Sequence, residues 1–105
     1  MSIDGPANPL PAGGSYSVNC TAVSDLSTSI KWLDPSDKEV TLSGSDVWTD
    51  SPSIEGNATI LVLHFDPIKT SHGGVYTCIS TVSEPLSYKR TTRNIIVQSE
   101  SKNRI

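Results

Sequence analysis

The chain has 105 residues, enough for one domain that buries roughly two-thirds of its unfolded surface around a single core. Only 35% of residues are hydrophobic and 18% are charged, too polar for a helical bundle and suited to strands that are wet on one face. The formal net charge of −3 gives no general attraction to nucleic acid or anionic lipid, and no apolar run is long enough to insert in a membrane.

In chain order, residues 1–14 carry Gly5, Pro6, Pro9, Pro11, Gly13 and Gly14, which suit a lead-in and an interrupted edge strand. Residues 15–23 alternate, with Tyr16, Val18, Cys20 and Ala22 on one face, as a half-buried strand does. A polar loop follows over 24–28. The next strand, 29–33, turns Ile30 and Trp32 inward and Lys31 outward. Asp34-Pro35-Ser36-Asp37 is a turn cluster. Short strands are predicted at Val40–Leu42 and Val47–Thr49, separated by Gly44. Residues 50–57 read as a polar loop with Pro52 and Gly56.

Ala58–Phe65 is the most apolar strand, with Leu61, Leu63 and Phe65 on one face and Ile60, Val62 and His64 on the other. Asp66-Pro67 ends it, and Ile68–Gly73 reads as a turn or short helical corner. Gly74–Val82 alternates again with Tyr76, Cys78 and Ser80 in register. Glu84-Pro85 marks a hairpin, Tyr88–Gln98 the last strand, and 99–105 a polar tail. Seven or eight short strands with a turn signal about every ten residues indicate an all-β sandwich or barrel. There are no internal repeats, and the expectation is one domain over 1–105 with its core at about 6–98.

Charge is uneven along the chain. Up to position 55 there are two basic residues, Lys31 and Lys38, against eight acidic ones. Afterwards Lys69, Lys89, Arg90, Arg93, Lys102 and Arg104 reverse the balance. The two halves of a sandwich interleave in space, so this asymmetry need not make the molecule polar.

Two cysteines without a CxxC spacing favour one disulfide over a metal site, and hence an oxidising compartment. Met1-Ser2-Ile3-Asp4 has neither the basic start nor the apolar run of a secretory signal. The expectation is therefore an excised extracellular domain, whose precursor carries its signal and any membrane anchor elsewhere.

Trp32 stands twelve residues after Cys20, and Cys78 fifty-eight after it. Tyr76 lies two residues before Cys78, and Leu63-x-Phe65-x-x-Ile68 precedes Gly74-x-Tyr76-x-Cys78. Over roughly residues 6–98 this pattern resembles the immunoglobulin superfamily. The resemblance implies a Greek-key sandwich of two antiparallel sheets, a Cys20–Cys78 bridge between them, Trp32 packed on the bridge and a tyrosine corner at Tyr76. Closing a loop of this length stabilises by roughly 4 kcal/mol in the chain-entropy picture. The cysteine spacing is shorter than in antigen-receptor variable domains and fits the intermediate set of adhesion molecules and receptor ectodomains.

One position departs from the family. An Asp usually stands two residues before the glycine and pairs with a basic residue across the sandwich floor; here it is His72. Two readings are open: a reversed pair, with His72 donating to Asp46 or Asp50, or a solvated turn histidine.

Asn57-Ala58-Thr59 is a glycosylation sequon at a loop-to-strand junction, and Asn19-Cys20-Thr21 is a second match in mid-strand. Use is expected at Asn57 before Asn19. Lys89, Arg90 and Arg93 are either a patch for a sulfated glycan or acidic partner, or charges that keep an edge strand from pairing. Trp48 is either an interface anchor or packed on the sheet. Loops 24–28, 50–56 and 83–87 are candidate recognition loops.

Nothing in the sequence assembles a catalytic site. His64 and His72 have no metal spacing, and no cysteine is left over as a nucleophile. Ser71 beside His72 is adjacency alone, and Gly13-Gly14 and Gly73-Gly74 lack a phosphate-loop context. The expectation is a non-catalytic extracellular recognition module without cofactor or metal. The resemblance implies a partner protein, bound homophilically, as in a weak dimer, or heterophilically. A cell-surface receptor, such as a receptor tyrosine kinase, or an adhesion protein is the expected parent. The alternative is a spacer in a multidomain stalk, and a secreted immune recognition domain is the weaker third.

Overall fold

A computed structural model of the chain describes residues 1–83 and 86–99. Its strands are β1 (Ser2–Asp4), β2 (Leu10–Pro11), β3 (Tyr16–Val23), β4 (Thr28–Leu33), β5 (Glu39–Val40), β6 (Val47–Thr49), β7 (Ser53–Glu55), β8 (Ala58–Phe65), β9 (Gly74–Ser83), β10 (Leu86–Ile95) and β11 (Val97–Gln98). One sheet runs β1-β3-β8-β6, with β7 also on β8; the second runs β10-β9-β4-β5; β11 pairs with β2. All pairs within the two main sheets are antiparallel, and β11–β2 is parallel. The chain is thus an immunoglobulin-like sandwich.

The alternation read from β3 and β8 places Val18, Cys20, Ala22, Leu61, Leu63 and Phe65 between the sheets. From the second sheet Trp32, Tyr76 and Cys78 meet them, and Leu10, Ile68 and Ile95 close one end. Cys20 and Cys78 are bonded across the layers, at a Cα separation of 6.5 Å. Trp32, fully buried, donates its indole N–H to the Leu61 carbonyl at 3.0 Å, so the largest core side chain also ties one sheet to the other. Tyr76 packs edge-on against Phe65 at 5.3 Å and donates its hydroxyl to the His72 carbonyl at 2.7 Å. This bond pins the 3-10 turn Thr70–His72 to the start of β9.

Four expectations need correction. Ser2–Asp4, read as lead-in, pairs with β3, and Ile3 packs against the core. The prolines and Gly5 interrupt the edge, so the chain leaves β1 and rejoins as β2 beside β11. Asn8 stitches this crossing: its amide donates to the Asn94 carbonyl and its carbonyl accepts from the Ile96 N–H. For the same reason the last strand is two strands, with Ile96 between them, where pairing passes from β9 to β2.

The strand expected at Val40–Leu42 is Glu39–Val40 instead. Thr41 accepts the N–H groups of Gly44 and Thr49, so the chain turns there and Leu42 points to solvent. The polar loop over 50–57 contains β7, a hairpin partner of β8. Gly56 makes this hairpin possible by taking φ +62°, where a side chain would be strained. Nothing in the alternation of Ser53-Ile54-Glu55 announces a strand, because all three residues are exposed.

Candidate recognition surface

Because Tyr76, Cys78 and Ser80 face the core, their neighbours along β9 must face outward. Cross-strand register then fixes two rows on the outer face of the second sheet: Ser29–Thr81–Tyr88 and Lys31–Ile79–Arg90. Tyr88 is 68% exposed and Leu86, next on the same face, is 64% exposed. Ile79 is half-buried between Lys31 and Arg90. Ser29, Lys31, Ile79, Thr81 and Glu39 border a shallow depression beside them. Aromatic and arginine side chains around a partly apolar centre are the composition of binding hot spots.

Charge is mixed on both sheets, with a basic excess on the second. Lys31, Lys38, Lys89, Arg90 and Arg93 belong to the second sheet and its turns, together with Asp34, Asp37 and Glu39. Asp4, Asp46, Asp50, Glu55 and Asp66 border the first, where Lys69 pairs with Asp46. The basic trio on β10 does not form one patch. Arg90 points outward, Lys89 lies on the opposite side of the strand, and Arg93 donates to the Pro6 carbonyl. Arg93 thereby fixes the crossing between β1 and β2.

Trp48 lies on the outer face of the first sheet, half-buried and stacked on His64 at 5.1 Å and 19°. His64 Nε2 is 2.8 Å from Asp50 Oδ2, and Nδ1 is 3.2 Å from Ser17 Oγ. Strands β3, β8 and β6 bring Ser17, His64 and Trp48 side by side, since Ser17 and Trp48 both stand opposite His64. Serine, histidine and aspartate in series resemble a nucleophile relay. Here the serine sits in the middle of a paired strand on an open sheet face, without the sharp turn or cleft that presents a nucleophile to substrate. The cluster's evident work is to bridge three strands.

His72 makes neither expected ion pair. Its Nδ1 accepts the Lys69 backbone N–H at 2.9 Å, and burial lowers its pKa, partly offset by the Asp46 charge. Asp46 pairs instead with Lys69 at 2.8 Å, whose hydrogen bond holds the carboxyl below its ordinary range. Asp50 pairs with His64. The acid and base across the floor are therefore reversed relative to the family pattern, with lysine as the base.

Asn57 is exposed in the β7–β8 turn, its side chain 3.5 Å from Asp25 Oδ1. Asn19 is exposed on the outer face of β3, opposite Asp4 and Val62. Of the candidate loops, 24–28 is a loop up to Thr28, where β4 begins, while 50–56 contains β7 at Ser53–Glu55. Glu84 and Pro85, in the third, and the tail beyond Ser99 lie outside the described residues. Tyr88, Leu86, Ile79 and Lys31 were not singled out together from the sequence. The signal was present: once Tyr76 and Cys78 are placed inward, period-2 alternation puts these four outward.

The chain matches no protein-family model and no curated protein. Solved structures do resemble it. The twitchin kinase region from C. elegans, which includes Fn and Ig domains, superposes at a TM-score of 0.70 with 17% identity, over 91% of this chain and 16% of that one. The chain thus spans a small part of that protein. The Ig-like domain of human leucine-rich repeat-containing protein 4 gives 0.60 with 19% identity over 96% of this chain and 90% of that one. An Ig domain of the titin M10–obscurin-like 1 complex gives 0.63 with 13% identity over 94% and 96%. At these identities the likeness establishes the fold, that of an immunoglobulin-like domain.

Proposed function

We propose that this domain is a non-catalytic, extracellular protein-recognition module of a cell-surface receptor or adhesion protein, binding through the outer face of the second sheet. The observation that carries this reading is the exposed Leu86–Tyr88–Arg90 face of β10, set against Ile79 and Lys31 on a disulfide-closed scaffold. Its basic character favours an acidic partner surface. The acidic border of the first sheet offers one on a second copy, and another protein offers the heterophilic case. The intermediate-set spacing supports the receptor or adhesion setting. The disulfide supports an oxidising compartment, and the exposed Asn57 supports glycosylation there.

The test has two arms. Sedimentation of the oxidised domain from micromolar to millimolar concentration reads self-association. A fluorescent tetramer on a panel of cell lines reads a second protein. At least one arm is expected to be positive and to be lost in Tyr88→Ser. A strict monomer whose tetramer binds no cell overturns the proposal.

A second reading has its own observation. The chain enters beside β3 and the 24–28 loop, where Met1 packs, and leaves at the opposite end, where β11 meets β2 and the 3-10 turn. End-to-end entry and exit suit a domain strung in series, as in a spacer. Both arms negative, with normal folding, is the result that reading predicts.

A further inference from the structure

The two sheets part at the end of the sandwich nearest Met1, leaving a cleft of about 200 Å³ on the side where β10 faces β3. Its apolar lining is Met1, Ala22, Val23, Leu26 and Val82, and it shares the walls with five polar residues, three of them the hydroxyl side chains Ser24, Thr28 and Ser87. The other two are Ser80 and Lys89. Ser80 is only 4% exposed and lines the cleft, yet its hydroxyl makes no hydrogen bond to any side chain or backbone group among the described residues. Lys89 stands directly opposite Ser80 in the β9–β10 ladder, exposed at the rim. A buried hydroxyl is costly to leave unmatched, so its orientation into a cleft beside a cation calls for an acceptor.

We propose that this cleft binds the carboxylate of a small amphiphile with a short alkyl or single-ring tail. One carboxylate oxygen takes a charge-assisted hydrogen bond from the Lys89 ammonium, and the carboxylate also accepts from the Ser80 hydroxyl. The tail lies on Ala22, Val23, Leu26 and Val82. The volume fits this class: an apolar cavity of about 150 Å³ already holds a benzene ring, whereas drug-sized ligands need roughly 300 Å³ or more. The site is separate from the outer face of the second sheet, because Lys89 and Ser80 point to the opposite side of that sheet from Tyr88 and Arg90. It therefore stands or falls independently of the recognition reading.

The experiment is a titration of the oxidised, isotope-labelled domain with sodium octanoate, followed by amide chemical shifts, with 1-octanol as the uncharged control. Lys89→Gln and Ser80→Ala are the variants. Octanoate is expected to give saturable shifts centred on Ala22, Leu26 and Val82. Lys89→Gln is expected to weaken octanoate about tenfold or more, through loss of the charge-assisted bond, and to leave octanol unchanged. Ser80→Ala is expected to weaken it a few-fold. Lys89 is exposed, so its variant reads the site and not the fold. The proposal is overturned if no saturable shift appears below the micelle concentration, which is the behaviour of a cleft that holds only water. It is equally overturned if the shifts map elsewhere, or if Lys89→Gln binds octanoate as tightly as the parent.

Discussion

Replacing Tyr76 by Phe tests the bond that ties the 3-10 turn to β9. The ring and its edge-on contact with Phe65 are retained, and only the hydroxyl donated to the His72 carbonyl is lost. A net hydrogen bond contributes about 1 kcal/mol, and depriving a part-buried carbonyl of its donor adds to this, so the expected loss is about 1.5 kcal/mol. For a domain of this size the midpoint then falls by roughly 5–10 °C. Urea unfolding followed by tryptophan fluorescence measures the difference. Burial, with a smaller contribution from the Asp34 charge, pushes the Tyr76 phenol up to about 12. In the unfolded chain it ionises near its ordinary value of about 10. The fold therefore favours the neutral phenol, and this contribution is complete below pH 10 and lost as pH rises towards 12. The gap between the parent and Tyr76→Phe should be constant to about pH 10 and shrink above it. A loss under about 0.5 kcal/mol, or a gap that stays constant through pH 12, refutes the assignment of this bond as a structural tie.

Cys20→Ala with Cys78→Ala opens a cross-link of sequence separation 58 and should cost about 4 kcal/mol in denaturant unfolding, enough to leave little folded protein at body temperature. Gly74 sits at φ +140° with Pro35 Cγ 2.7 Å from where a Cβ would stand. Gly74→Ala should therefore cost about 2 kcal/mol or more by the same measurement. Lys69→Met removes the hydrogen bond that lowers the Asp46 pKa, so a carboxyl-carbon titration should show that pKa move up. In the parent, the stability linked to Asp46 is present above the ordinary carboxylate range and lost as pH falls through the lowered pKa; the variant should lose that dependence.

The core was legible because it obeys one rule. Alternation in β3, β8 and β9 named Val18, Cys20, Leu61, Leu63, Phe65, Tyr76 and Cys78, and in a two-layer sandwich inward-facing residues on facing strands must meet. Elements whose pairing depends on main-chain geometry were less legible. β7 exists because Gly56 closes a two-residue turn, although its own side chains are all exposed. The split of the last strand follows from Asn8, eighty-six residues away from the carbonyl it binds. The His72 pairing failed because Lys69 lies closer to Asp46 in the folded turn, a proximity that spacing does not encode. The Ser17–His64–Asp50 chain spans three strands and leaves no sequence signature. The recognition face was recoverable in principle, since outward positions follow once the inward ones are fixed. What singles out Tyr88 and Leu86 is their exposure, which only the fold reveals.

The claim that the outer face of the second sheet is the recognition surface is tested most directly by comparing two single variants in tetramer binding and sedimentation. Tyr88→Ser alters that face, and Trp48→Ser alters the outer face of the first sheet. Loss of binding or self-association in Tyr88→Ser, with Trp48→Ser retaining it, is the predicted result. Loss in Trp48→Ser alone, with both variants folded, contradicts it and places recognition on the Trp48–His64 face instead.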